Sequence, residues 1–124
     1  MAKKEDLKDT VITKIPSDEK ILKEGVLEIN RINKKTQTLI AYKYAITEKG
    51  IWTRSKGMFL VKPETRFTPY EHFESFEAIT YMERDCCLFH PKSGDVSNRV
   101  YFDDREGAIE ILEGYIERKE DGDE

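Results

Sequence analysis

A chain of 124 residues is the size of a single domain, since domains cluster at about 100–150 residues. Hydrophobic residues make up 38% and charged residues 37%, a balance that suits a soluble globular protein and excludes a low-complexity chain. The net charge of −4 argues against a general nucleic-acid binder, and no apolar run approaches the roughly 20 residues of a membrane-spanning helix.

The opening "MAKKEDLKDT" mixes both signs of charge and lacks the apolar stretch of a secretory signal, so a cytoplasmic protein is expected. Residues 1–18 read as a charged N-terminal arm, because Pro16 and Ser17 interrupt Val11 and Ile12 before any periodicity starts. Residues 19–119 are expected to form the domain, and 120–124 an acidic tail.

From Ile21 the pattern has period two. In "ILKEGVLEINRI", Leu27, Ile29 and Arg31 share a face opposite Glu28 and Asn30, and Gly25 predicts a bulge or break. After a turn at Asn33–Lys35, "TQTLIAYKYAIT" sets Ile40, Tyr42, Tyr44 and Ile46 on one bulky face. "EKG" predicts a short hairpin loop with Gly50 at positive φ, and "IWTRS" is the returning strand. Trp52, the lone tryptophan, reads as a packing residue on it.

Pro63 and Pro69 cannot donate to a ladder, so they punctuate the strands or sit on edges, and Arg66–Thr68 between them reads as a short strand. "FEAITY", "CCLFH" and "RVYF" supply the remaining strands, with the turn-rich "PKSGDVSN" before the last. In "DDREGAIEILEGYIERK" the period changes. Ala108, Ile109, Leu112, Tyr115 and Ile116 form one helical stripe, and Asp103 and Glu106 have capping-box spacing. Arg118 and Lys119 would suit the negative end of that helix, while Gly107 and Gly114 weaken it by about 1 kcal/mol each, so docking must hold it. The expected order is mainly β with one C-terminal α-helix: about seven short strands in a small antiparallel sheet, one end of which the terminal helix can cover.

Two short motifs carry a family likeness. "YAITEKGI" places Tyr44, Ile46, Thr47, Gly50 and Ile51 in a hairpin, and "PYEHFESF" places Pro69, Tyr70, Phe73, Ser75 and Phe76 at a corner. With the closing helix, these resemble the bacterial pleckstrin-homology-like (PH-like) domains over roughly residues 20–118. The resemblance implies a partly open barrel or sandwich of about seven antiparallel strands, in two near-orthogonal sheets capped by the C-terminal helix, a fold that binds proteins, peptides or lipid headgroups. The basic pattern of the phosphoinositide-binding members is met by Arg31, Lys34 and Lys35, but Thr36, Gln37 and Thr38 follow in place of its continuation.

Candidate chemistry is sparse. The basic residues Arg31, Lys34, Lys35, Lys43, Arg54 and Lys56 fall on neighbouring hairpins and form the candidate ligand-binding set, a rim for an anionic headgroup or acidic peptide. Cys86, Cys87 and His90, with His72, have the donor types for zinc or a thiol nucleophile. Adjacent cysteines point to opposite faces of a strand, so neither a metal site nor a disulfide is expected. Asp103 and Asp104 read as helix caps rather than an acid–base pair. No cofactor motif is present in the sequence, and the chain is expected to be no enzyme. The leading expectation is a cytoplasmic module that binds a protein partner or itself. The alternative is a peripheral binder of anionic lipid.

Overall fold

The computed structural model describes residues 14–32, 37–55, 62–94 and 97–119, with residues 31, 32, 37 and 38 described by backbone only. Residues 1–13 of the arm and the acidic tail lie outside this set. The strands are β1 (Ile21–Ile32), β2 (Gln37–Thr47), β3 (Gly50–Ser55), β4 (Thr65–Pro69), β5 (Phe73–Tyr81), β6 (Arg84–Pro91) and β7 (Asn98–Phe102). A single 3-10 turn, Tyr70–His72, joins β4 to β5, and helix α1 spans Arg105–Leu112.

All seven strands join one antiparallel sheet in the order β4-β3-β2-β1-β7-β6-β5. β1 makes this possible. It pairs with β2 along its length, and its Leu27–Ile29 also pairs with Phe102–Val100 of β7. The sheet curls into a half-barrel with α1 over one end, which is the mainly-β, helix-capped architecture expected from the sequence.

Alternation decides which side chains enter the concavity. Leu27, Tyr44, Ile46, Phe76, Phe89 and Phe102 point inward and meet Ala108, Ile109 and Leu112 of the helix. The rings interlock: Phe76 stacks on Phe89 at 5.5 Å, and Tyr44 meets Phe102 edge-on at 5.2 Å. Cys86 and Cys87 are free and buried on opposite faces. Cys87 lies in this core, and Cys86 lies with Ile79 and Tyr101 on the outer face. Burial pushes both thiols up, Cys87 to about 12.

Four local expectations are corrected. Gly25 makes no bulge: it pairs in register with Tyr44, and the irregularity of β1 falls at Ile21–Lys23. A Cβ at Gly25 would stand 2.5 Å from Asp103 Oδ2 and 2.9 Å from the Tyr44 ring, so the glycine admits Asp103 to the strand. Asp103 is accordingly not the helix cap. Its carboxylate accepts from Val26 N at 3.0 Å and from the Tyr44 hydroxyl at 3.2 Å. Burial, then the Asp103 charge, pushes the Tyr44 phenol up.

The cap is Asp104, which accepts from Gly107 N at 3.1 Å and pairs with Lys23 Nζ at 2.9 Å. Both contacts hold its carboxyl below the ordinary range. A depressed pKa contributes stability that is present near neutral pH and lost as pH falls through the folded value.

Gly50 is not at positive φ. It opens β3 opposite Pro69, where a Cβ would meet the Thr68 carbonyl and, at 2.7 Å, the Phe67 ring. The helix also stops earlier than its stripe, at Leu112. Ile116 still reaches the core, but residues 117–119 return to the β5 edge. Phe76 N donates to Glu117 O at 3.0 Å, and Lys119 N donates to Phe76 O at 2.9 Å. A helix carrying two glycines loses to the unpaired main chain of a sheet edge. Arg118 pairs with Glu113, the residue that caps the helix C-terminus.

The β5–β6 hairpin turns on Met82 and Glu83, at φ 51° and 67°. A two-residue loop needs that conformation, yet side chains other than Gly, Asn and Asp resist it. Replacing the pair by Asn-Gly should raise stability by about 1–2 kcal/mol in urea denaturation. No gain would show that the exposed Met82 makes a compensating contact.

Candidate functional site

The family-like residues of the two short motifs meet at one place. Thr47 ends β2 fully buried, and its hydroxyl donates to the Glu19 carboxylate while accepting from Lys49 N at 3.1 Å and Gly50 N at 3.3 Å. Such a hydroxyl replaces main-chain bonds that a tight loop leaves open. The Thr47 carbonyl accepts from the Tyr70 hydroxyl, and Tyr70 stacks on Tyr115 at 4.4 Å. Burial pushes the Tyr70 phenol up.

Glu19 is itself buried and also accepts from Trp52 Nε1 at 2.9 Å. Trp52 packs with Ile15, Ile21 and Ala45 on the outer face, so the expected packing role holds, with its polar end engaged. Ile15 and Glu19 bring the stretch before β1 onto the sheet. These motif residues are spent on joining the N-terminal stretch, the β2–β3 turn, the 3-10 turn and the segment after α1.

Among the described residues, β4 is an edge strand with no partner on its outer side. Ser55 N donates to Glu64 O at 2.9 Å, and the register continues as Thr53 with Arg66 and Ile51 with Thr68. Antiparallel main-chain bonds alternate sides, so Thr65 and Phe67 turn their N–H and C=O groups away from β3. Phe67 is 39% exposed and lies 4.8 Å from Trp52, centroid to centroid. At the other end of the sheet, by contrast, Phe76 already has partners in Glu117 and Lys119. The concave side holds a cavity of about 290 Å³, apolar at Ile29, Tyr42 and Phe89 and polar at Thr53, Arg66 and His72.

Of the basic set, the described side chains are those of Lys43 and Arg54. Lys43 and Arg54 are cross-strand neighbours on the outer face, opposite the cavity, and Arg54 Nη1 is engaged with Thr65 Oγ1. Lys34, Lys35 and Lys56 lie outside the described residues, as does the Arg31 side chain. Cys86, Cys87 and His90 are not brought together, and among the described residues no three His, Cys, Asp or Glu side chains form a metal-sized group.

His90 has other company that spacing did not reveal. Its Nδ1 is 2.7 Å from Ser97 Oγ, and its Nε2 is 2.6 Å from Glu77 Oε2. Register could have shown part of it, since Glu77 pairs with Leu88, two residues from His90. The line resembles a hydrolase triad, but neither the interior cavity nor the groove beside Tyr70 and Tyr115 includes any of its members. Among the described residues, no helix is long and apolar enough to cross a membrane.

No protein-family model matches the chain, and no curated protein does. Among solved structures it is similar to the hSac2 domain from human phosphoinositide phosphatase Sac2. The TM-score is 0.65 over 98% of this chain and 89% of that one, at 13% identity. A likeness at that identity establishes a shared fold and leaves the role to be argued from the site.

Proposed function

We propose that this chain is a PH-like, non-catalytic module of the cytoplasm that binds protein, with the β4 edge, unpaired among the described residues, as its binding element. The outward main chain of Thr65 and Phe67, beside the exposed Phe67 ring, carries this reading, because an unpaired strand edge accepts an extended segment as an added strand. The absence of catalysis is supported by how the reactive groups are placed. Both thiols are buried and held protonated, and Ser97, His90 and Glu77 sit away from both cavities.

Thr65→Pro tests the reading. Proline removes an N–H that β3 does not use but also the hydroxyl that holds Arg54 Nη1, so Thr65→Val, which loses the hydroxyl and keeps the N–H, is the control for both stability and binding. In a pull-down from the native cell, wild type should retain a protein or further copies of the chain that the variant loses. Equal retention by both would overturn the role of this edge.

A second reading has one supporting observation. Lys43 and Arg54 put two cations side by side on the outer face, in a fold shared with a domain of a phosphoinositide phosphatase. Peripheral binding to anionic lipid would follow, and sedimentation with phosphatidylserine vesicles, with Lys43→Glu as control, separates it from the first.

A further inference from the structure

We propose that two copies of this chain join through β4, antiparallel and centred on Thr65, into one continuous sheet. The inference rests on reading β4 as the binding element and names its occupant. Along Pro63-Glu64-Thr65-Arg66-Phe67, main-chain groups of the odd-numbered residues face away from β3, and those of the even-numbered ones face it.

A two-fold pairing can be centred on Thr65, Arg66 or Phe67. Centring on Arg66 sets two guanidinium groups directly opposite each other, which is unfavourable. Centring on Phe67 sets Arg66 against Thr68 and Thr65 against Pro69, which matches no charges. Centring on Thr65 sets Glu64 against Arg66 of the second copy, twice by symmetry, and Phe67 against Pro63, also twice. The two Thr65 residues exchange main-chain bonds, and each Phe67 N–H meets a Pro63 carbonyl, the one group proline still offers. The five residues are complementary to their own reverse.

Glu64 and Arg66 already approach to 3.4 Å within one copy, with side chains 63% and 66% exposed. Exposed ion pairs add little affinity, so their part is register and partner choice. Main-chain bonds and the aromatic surface of Phe67 over Trp52 supply the attraction. The pairing is isologous, which closes it at two copies.

Sedimentation velocity of the full chain over a concentration series tests this. Wild type should show a monomer–dimer equilibrium. Glu64→Arg and Arg66→Glu should each weaken it about tenfold or more, and the double exchange, which restores the opposed charges, should recover it. Thr65→Pro should be monomeric, whereas Thr65→Val, which loses the same contact with Arg54 but keeps the N–H, should still dimerise. A wild type that stays monomeric at every concentration, or a dimer that the single exchanges leave alone or the double fails to restore, overturns the proposal. The broader reading fails separately. A monomeric wild type whose capture of another protein is still lost in Thr65→Pro keeps the module and sinks only the self-pairing.

Discussion

Phe76→Ala should be the most damaging single truncation in the fold, lowering stability by about 3–5 kcal/mol. Phe76 is fully buried, stacks on Phe89 and packs in the core that receives α1, so its removal leaves a cavity bounded by rigid strands. The backbone of the same residue holds Glu117 and Lys119, and disorder of the core beneath should loosen that segment too. Against the 5–15 kcal/mol typical of a domain, such a loss takes roughly 10–20 °C off the melting temperature. Phe67→Ala is the control, because that ring is on the outer face. A Phe76→Ala variant within 1 kcal/mol of wild type would mean that the helix is held by something other than this core.

Thr47→Val should cost about 2–4 kcal/mol despite preserving shape. The substitution removes one hydroxyl and leaves a buried carboxylate and two main-chain N–H groups short of a partner. Orphaned buried groups each forfeit about 1–3 kcal/mol, more when charged. Thr47→Ser keeps the hydroxyl and should recover most of the loss. Because Glu19 also holds Trp52 Nε1, the valine variant should shift tryptophan emission before global unfolding, whereas the serine variant should not. Urea denaturation followed by Trp52 fluorescence reads both. A valine variant as stable as the serine one would remove Thr47 from the centre of the network.

The strands and the helix were legible because their signals are local: two-residue alternation in "IAYKYAI" and the stripe Ala108, Ile109, Leu112. What sequence could not show depends on distant chain meeting. Gly25 has the spacing of a bulge, and only the arrival of Asp103, 78 positions later, explains it as a gap left for a carboxylate. Asp103 and Asp104 look interchangeable as caps until one is drawn to β1 and Tyr44 and the other to the helix. Glu19 sits in a charged stretch and reads as solvated, yet it is buried under Trp52.

The candidate site divides the same way. The basic rim expected from the hairpins falls mostly outside the described residues, which place the side chains of Lys43 and Arg54 side by side. The complementarity of Pro63–Phe67 has no meaning until that strand is known to be an edge and its outward residues are known.

Residues 117–119 have a further effect where they lie against Phe76. A sheet bare at both margins can recruit neighbours without end and grow into a fibre. Here, among the described residues, Glu117 and Lys119 occupy the main chain of Phe76 and interrupt one margin, which directs strand addition to the β4 margin, where a two-fold pairing uses up the edge it joins.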